Sequence, residues 1–145
     1  MIFRAERNLP NATDLVYGWW TDFREDDHHH PGSPVRSRRE ILRREGREVW
    51  LRDKARRPAR VTVDAHVTLD PPKGYSVESR YPGADVRYAY RFDSTAEGTK
   101  ITMTVHIRPR HIGWVLVPLL ANRLRRFGER DLDFHIREMA RDLGS

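Results

Sequence analysis

Residues 60–69 read Arg-Val-Thr-Val-Asp-Ala-His-Val-Thr-Leu. Val61, Val63, Ala65, Val67 and Leu69 take every second position, and Thr62, Asp64, His66 and Thr68 the positions between. Successive side chains of a strand point to opposite faces, so this period of two predicts a strand with one buried and one wet face. The same period returns three times downstream. Tyr75, Val77, Ser79 and Tyr81 alternate with Ser76, Glu78 and Arg80; Val86, Tyr88, Tyr90 and Phe92 alternate with Arg87, Ala89, Arg91 and Asp93. Ile101, Met103, Val105 and Ile107 then alternate with Thr102, Thr104, His106 and Arg108. Asp70-Pro71-Pro72-Lys73-Gly74, Pro82-Gly83 and residues 94–99 supply the turns. Short turns between successive strands of this kind predict an antiparallel meander with one polar face. Upstream, residues 35–45 and 47–54 read as two further strands around a turn near Gly46. Their facing stays open, because Trp50 lies opposite Val49 and Leu51.

Helical spacing brackets this meander. Residues 2–9 suit a first strand, ended by Pro10. Asn11 is the expected N-cap of the next element, with Asp14 three residues on as its capping-box partner. Ala12, Leu15, Val16, Trp19 and Phe23 then fall on one stripe, which predicts a helix over 12–23 with Trp19 inward. Residues 24–34 are polar, hold three histidines and read as a loop. In the last third, Leu120, Leu124 and Phe127 make one helical stripe, and Leu132, Ile136, Met139 and Leu143 another. The two stripes are not collinear, so a bend near Gly128 is expected, and Gly144 suits the C-terminal cap. The class is therefore α+β.

A length of 145 residues suits a single domain over 1–145. The absence of cysteine excludes disulfides, thiolate metal sites and a thiol nucleophile. The 27 basic and 21 acidic residues give a net charge of +6, almost all from arginine, since only Lys54, Lys73 and Lys100 are lysines. A positive balance favours phosphate-bearing partners. However, the arginines are interleaved with acids, and no helix-turn-helix, zinc-finger spacing or aromatic RNA-binding signature is present, so no nucleic-acid partner is expected. Charges are mixed from the first residues, Met1-Ile2-Phe3-Arg4-Ala5-Glu6-Arg7, which does not suit a signal peptide, and the expected location is cytoplasmic. The longest apolar run, residues 112–121 (IGWVLVPLLA), is about half the roughly 20 residues that a membrane span needs. It is read as the core-facing start of the last helix. The arginines on both sides of it make transient contact with a membrane surface the alternative reading.

Four features together resemble a known group. They are the aromatic stretch Leu15-Val16-Tyr17-Gly18-Trp19-Trp20-Thr21-Asp22-Phe23, the loop ending His30-Pro31-Gly32, the alternating strands, and a final helix with a glycine midway. In this order they resemble the START-like (SRPBCC) superfamily, in its polyketide cyclase/dehydrase and lipid-transport group. The resemblance is one of pattern over nearly the whole chain. It implies a helix-grip fold: a curved antiparallel sheet of about six to seven strands wrapped around a long C-terminal helix, with a short helix after the first strand. It also implies a cavity between sheet and helix.

The residues agree with that implication. The concave positions are rich in aromatics, namely Tyr75, Tyr81, Tyr88, Tyr90 and Phe92, and a buried phenol needs a hydrogen-bond partner. Facing inward with Ser79, they suggest an apolar pocket with a few polar handles, the usual make-up of a small-molecule site. The alternative is a plain core whose phenols reach solvent at the rim. The expected partner is a hydrophobic small molecule, lipid-like or ring-bearing, oriented by Tyr75, Ser79, Tyr88 and Tyr90 and walled by Met103, Trp114 and Phe127. An enzyme of the cyclase or dehydratase kind would use the same cavity and needs a titratable pair. Asp131 and His135, four apart on one helix face, are the catalytic candidates. A third reading is a regulatory protein without a small ligand that uses the arginine-rich strand 36–44.

Asp26-Asp27-His28-His29-His30 has metal-ligand residue types, but neighbours in an extended loop point different ways, so no metal is expected there. His66 and His106 share the wet face and are read as surface histidines, with a cross-strand pairing as the alternative. No nucleophile elbow and no phosphate-cradling glycine loop occurs, and no cofactor is expected.

Overall fold

The computed structural model describes residues 1–23, 36–57 and 60–144, apart from the side chains of Arg36 and Arg57. Its elements run β1 (Ile2–Leu9), α1 (Thr13–Trp20), β2 (Arg36–Glu45), β3 (Glu48–Arg57), β4 (Val61–Asp70), β5 (Gly74–Tyr81), β6 (Ala84–Thr95), β7 (Gly98–Pro109) and α2 (Gly113–Asp142). The seven strands form one curved antiparallel sheet in the order β1-β7-β6-β5-β4-β3-β2. Each strand from β2 to β7 pairs with its neighbour in sequence, as short turns require. The exception is β1, which closes on β7 with Phe3 opposite Val105 and Ala5 opposite Met103.

The period of two sets the facing of each strand. Val63, Ala65 and Val67 are buried on β4, as are Ile101, Met103, Val105 and Ile107 on β7. The open question at Trp50 is also answered. Val49 and Leu51 are each 2% exposed, so Trp50 lies on the convex face. There it stacks on His66 at 4.9 Å and carries the Arg43 guanidinium 4.0 Å above its ring. His66 also bonds Glu48 at 3.0 Å. It is not a cross-strand neighbour of His106, because β5 and β6 lie between β4 and β7.

Helix α1 is shorter than its stripe suggests. Ala12, not Asn11, occupies the N-cap position, with no side-chain cap. The first turn is tied to the sheet instead: Thr13 Oγ1 lies 3.0 Å from Thr99 Oγ1, and Thr99 donates to the Asn11 carbonyl at 2.8 Å. Leu15 is turned out to solvent, and Val16 and Trp20 make the inner face. A helix of eight residues offers a sheet little more than one i, i+4 pair, so Trp20 takes the place expected for Trp19. Trp19 is half-buried, and its indole N–H reaches Asp142 near the end of α2 at 2.9 Å.

Helix α2 runs unbroken through Pro118 and Gly128. A Cβ on Gly128 would lie 2.9 Å from the Phe3 ring and 3.7 Å from Met103 Cε, so this glycine allows the helix to lie close against β1 and β7. Arg7 of β1 clamps the same stretch through Asp133, at 2.8 and 3.3 Å. The start of α2 is pinned by a second close approach. A Cβ on Gly113 would lie 1.9 Å from the carbonyl oxygen of Gly83, in the β5–β6 turn.

The run 112–121 does not start a core-facing helix. Only Gly113 and Val117 turn inward, whereas Ile112, Trp114, Val115, Leu116 and Leu119 are exposed. Consecutive helical residues visit every side of the axis, so an uninterrupted apolar run must present part of itself to water when only one side is covered. Among the described residues, no helix is long and apolar enough to cross a membrane.

Candidate functional site

The backbone of α2 comes close to the sheet chiefly along β7. Over β2, β3, β5 and β6 the gap is spanned by side chains, and the inward phase of each strand decides which. Register places Arg39 opposite Asp53, Val77 opposite Tyr88 and Tyr75 opposite Tyr90. From above, the second half of α2 contributes Asp131 and, one turn on, His135. Trp20 of α1 and Phe23 close one side.

One end of this space is aromatic. Tyr75 stacks on Tyr90 at 4.9 Å and meets the edge of Phe23 at 5.5 Å. The Trp20 ring lies 5.2 Å from Tyr90 and 5.6 Å from His135. Although the indole N–H of Trp20 is buried, it has no hydrogen-bond partner.

The other end is polar. Arg39 makes a two-pronged bond to Asp53, at 2.9 and 3.1 Å, with only 9% of its side chain exposed. The Tyr81 and Tyr88 phenols influence one another here, and burial raises both above their ordinary pKa, Tyr88 strongly. Burial likewise pushes Tyr90 well up, with the charges of Tyr75 and Asp131 adding to it.

Asp131 faces this group. Burial raises its carboxyl pKa, against the opposing pull of the His135 and Arg39 charges. One oxygen, Oδ2, lies 3.6 Å from His135 Nδ1, and that nitrogen is only 2.7 Å from the Asp131 backbone carbonyl, to which it donates. The other oxygen, Oδ1, is buried and has no partner among the described residues. The result is a carboxyl group biased toward its protonated form, with one free oxygen.

Tyr88, Tyr90 and Asp131 all keep water-accessible surface. Each is nonetheless enclosed closely enough for burial to be the leading cause of its raised pKa. Partly exposed side chains so closely enclosed mark this space as the candidate hollow. A molecule held here would meet aromatic faces at one end and phenols, a guanidinium and a carboxylic acid at the other.

The structure gathers most of the residues expected from sequence at this place. Tyr75 and Ser79 are buried on β5, Tyr88 and Tyr90 are half-buried on β6, and Phe127 is half-buried one turn before Asp131. Two others are corrected. Met103 is 1% exposed, packed where α2 is closest to β7, and has no free surface for a ligand. Trp114 is 67% exposed, because the first turns of α2 are covered only on the Gly113 and Val117 side.

Sequence reasoning missed Arg39, Asp53 and Trp20. The signal for Asp53 was present, since it is in phase with Val49 and Leu51 and so shares their inward face. Arg39 follows from its pairing with Asp53, which the sequence does not state. The histidine loop at 28–30 lies outside the described residues. Among the described residues, no cluster of three histidines or carboxylates is placed to hold a metal ion.

Two open depressions lie elsewhere. One, of about 610 Å³, is lined by Thr13, Asp14, Ser94 and Glu97; the other, of about 490 Å³, by Thr68, Lys73, Tyr75 and Tyr90, beside the stacked tyrosines. Both are open to solvent.

No family model and no curated protein matches the sequence. Solved structures do match. The protein TTHA0849 from Thermus thermophilus superposes with a TM-score of 0.77 at 18% identity, over 100% of both chains. The fold is START-like. Ara h 8.0201 shares it with a TM-score of 0.75 at 11% identity, over 96% of this chain and 97% of that one. So does the di-domain ARO/CYC StfQ from the steffimycin biosynthetic pathway, with a TM-score of 0.80 at 12% identity. This chain spans about half of StfQ, covering 52% of its length. The START-like architecture expected from the aromatic helix and the meander is thus the observed one, with seven strands and the helix grip.

Proposed function

We propose that residues 1–145 form one binding domain that holds a hydrophobic, ring-bearing or lipid-like molecule between the sheet and the second half of α2. The observation that carries this reading is the water-accessible surface of Tyr88, Tyr90 and Asp131 deep among other side chains. Apolar ligand surface buried against Trp20, Phe127 and the stacked pair Tyr75 and Tyr90 supplies the affinity, roughly 25 cal/mol per Å² before association costs. Tyr81, Tyr88, Asp131 and the Trp20 N–H orient the ligand's polar end, and Asp131 Oδ1 and the Trp20 N–H have hydrogen-bonding capacity that no described residue uses. The names of two structural neighbours, the ARO/CYC proteins StfQ and BexL, favour a polycyclic or polyketide-like occupant.

A second reading rests on one residue. Asp131 is a carboxyl group kept protonated more readily than usual, beside a histidine and with Oδ1 unengaged. Such a group can deliver a proton to a carbonyl or hydroxyl of the bound molecule, as a cyclisation or dehydration requires. Native mass spectrometry of the purified protein tests the first reading, with a co-purified apolar molecule as the expected result. The variant Asp131→Asn separates the two readings. Retained ligand with lost turnover marks an enzyme. Equal loss of ligand and turnover leaves a binder, and a protein that takes up no apolar molecule at all overturns both.

A further inference from the structure

The first turns of α2 show a surface unlike the rest of the molecule. Ile112, Leu116 and Leu119 recur at helical spacing on one side of the helix and are 67%, 44% and 76% exposed, with Val115 beside them at 62%. The stripe continues at the same spacing into Arg123 and Arg126, both exposed. A single line along the helix is therefore apolar for two turns and cationic for the next. Trp114 borders it, also exposed.

The charge around this stripe points to what covers it. No aspartate or glutamate occurs between Glu97 and Glu129, although the chain has 21 acids in 145 residues. The same interval carries Lys100, Arg108, Arg110, Arg123, Arg125 and Arg126. A second copy of the chain seated on the stripe would bring the exposed Arg123 and Arg126 of both copies together, whereas Asp85 is paired with Arg110 and Glu129 with Arg125. An anionic surface meets no such repulsion, and guanidinium groups pair with phosphate oxygens in two-pronged fashion. An apolar helix face followed by arginines, with a tryptophan at its margin, is the chemistry of a helix lying in a lipid headgroup layer.

We propose that the start of α2 docks on an anionic lipid surface, with Ile112, Leu116 and Leu119 entering the acyl boundary and Arg123 and Arg126 on the headgroup phosphates. The docking does not depend on the hollow being a ligand site, although the helix that would lie on the lipid also roofs the hollow.

The test is sedimentation of the full chain with vesicles of phosphatidylcholine alone and of phosphatidylcholine with added phosphatidylglycerol. Binding is expected to the anionic vesicles and to weaken as salt is added. Leu116→Ser with Leu119→Ser should weaken it at least about tenfold, and Arg123→Glu with Arg126→Glu by about fivefold or more per residue. All four positions are exposed, and an unchanged thermal melt confirms that each double variant is folded. Three results would overturn the proposal. The first is no binding to anionic vesicles at low salt. The second is binding that the serine variant leaves unchanged, which marks simple adsorption of a basic protein. The third is a concentration-dependent dimer that the serine variant abolishes, with no vesicle binding.

Discussion

On the β1 and β7 flank, Gly128 lets α2 settle in van der Waals contact with Phe3 and Met103, and the paired Arg7 and Asp133 hold it there. On the β2 to β6 flank the same helix presents Asp131 and His135 to phenols and to the pair formed by Arg39 and Asp53. One flank is built like a core; the other keeps polar atoms without partners and surface that water reaches. The difference shows how one helix can be packed closely along one flank of a curved sheet and carry polar side chains along the other. Close packing on one side fixes the helix, and the other side is then free to carry groups chosen for a guest.

That contrast can be broken at several points. Met103→Ala should cost about 3 kcal/mol of unfolding free energy, as for other fully buried methionines, whereas Tyr90→Phe on the hollow side should cost less than about 1 kcal/mol. Chemical denaturation of both variants checks this, and equal losses would mean that the two flanks are packed alike. Gly128→Leu drives a side chain into the Phe3 ring and should cost about 2–3 kcal/mol, read by the same melts. Arg39→Met leaves Asp53 facing inward without its cation and should cost about 2 kcal/mol, since water in the hollow softens the penalty of an unpaired charge. Arg52→Ala removes a pair with Asp64 on the convex face and should leave the melt unchanged, which sets the baseline for a solvated ion pair.

Asp131 sharpens the contrast through pH. Burial raises its pKa in the folded state above the unfolded value, so the folded form holds the proton more tightly. Its contribution to stability is therefore favourable in acid and is lost as pH rises through the folded-state pKa. Asp131→Asn should raise the Tm near about pH 7 and give no gain near about pH 3. A Tm gain that is the same at both values would show that the carboxyl is not buried against its charge.

Much of the fold is written in the spacing of its side chains. The strands at 60–69 and 101–108 are legible because one face of each is buried and the other wet, and nothing else in their surroundings competes with that pattern. The facing of β3 is undecided from sequence because Trp50 is as apolar as Leu51. Only Arg43 and His66, stacked on Trp50 from neighbouring strands, explain why an indole sits outside. The early part of α2 misleads for a physical reason. Hydrophobicity marks what avoids water, and Ile112, Leu116 and Leu119 have no protein surface opposite them. In the candidate site, the phenols and the pair of Asp131 and His135 are visible as residue types on known faces. Arg39 is not, because its inward direction depends on a register that is set by strand pairing rather than by its own neighbours in sequence.

The pairing of β1 with β7 has a consequence for how the chain comes to be folded. Ile2 finds its partner at His106, so β1 joins the sheet only once β7, the last of the seven strands in chain order, is available. Closing so long a loop is slow, and until it closes the inner edge of β7 stays open to mispairing with other chains. The closely packed flank, with Phe3 against Gly128, is therefore completed only after β7 has formed.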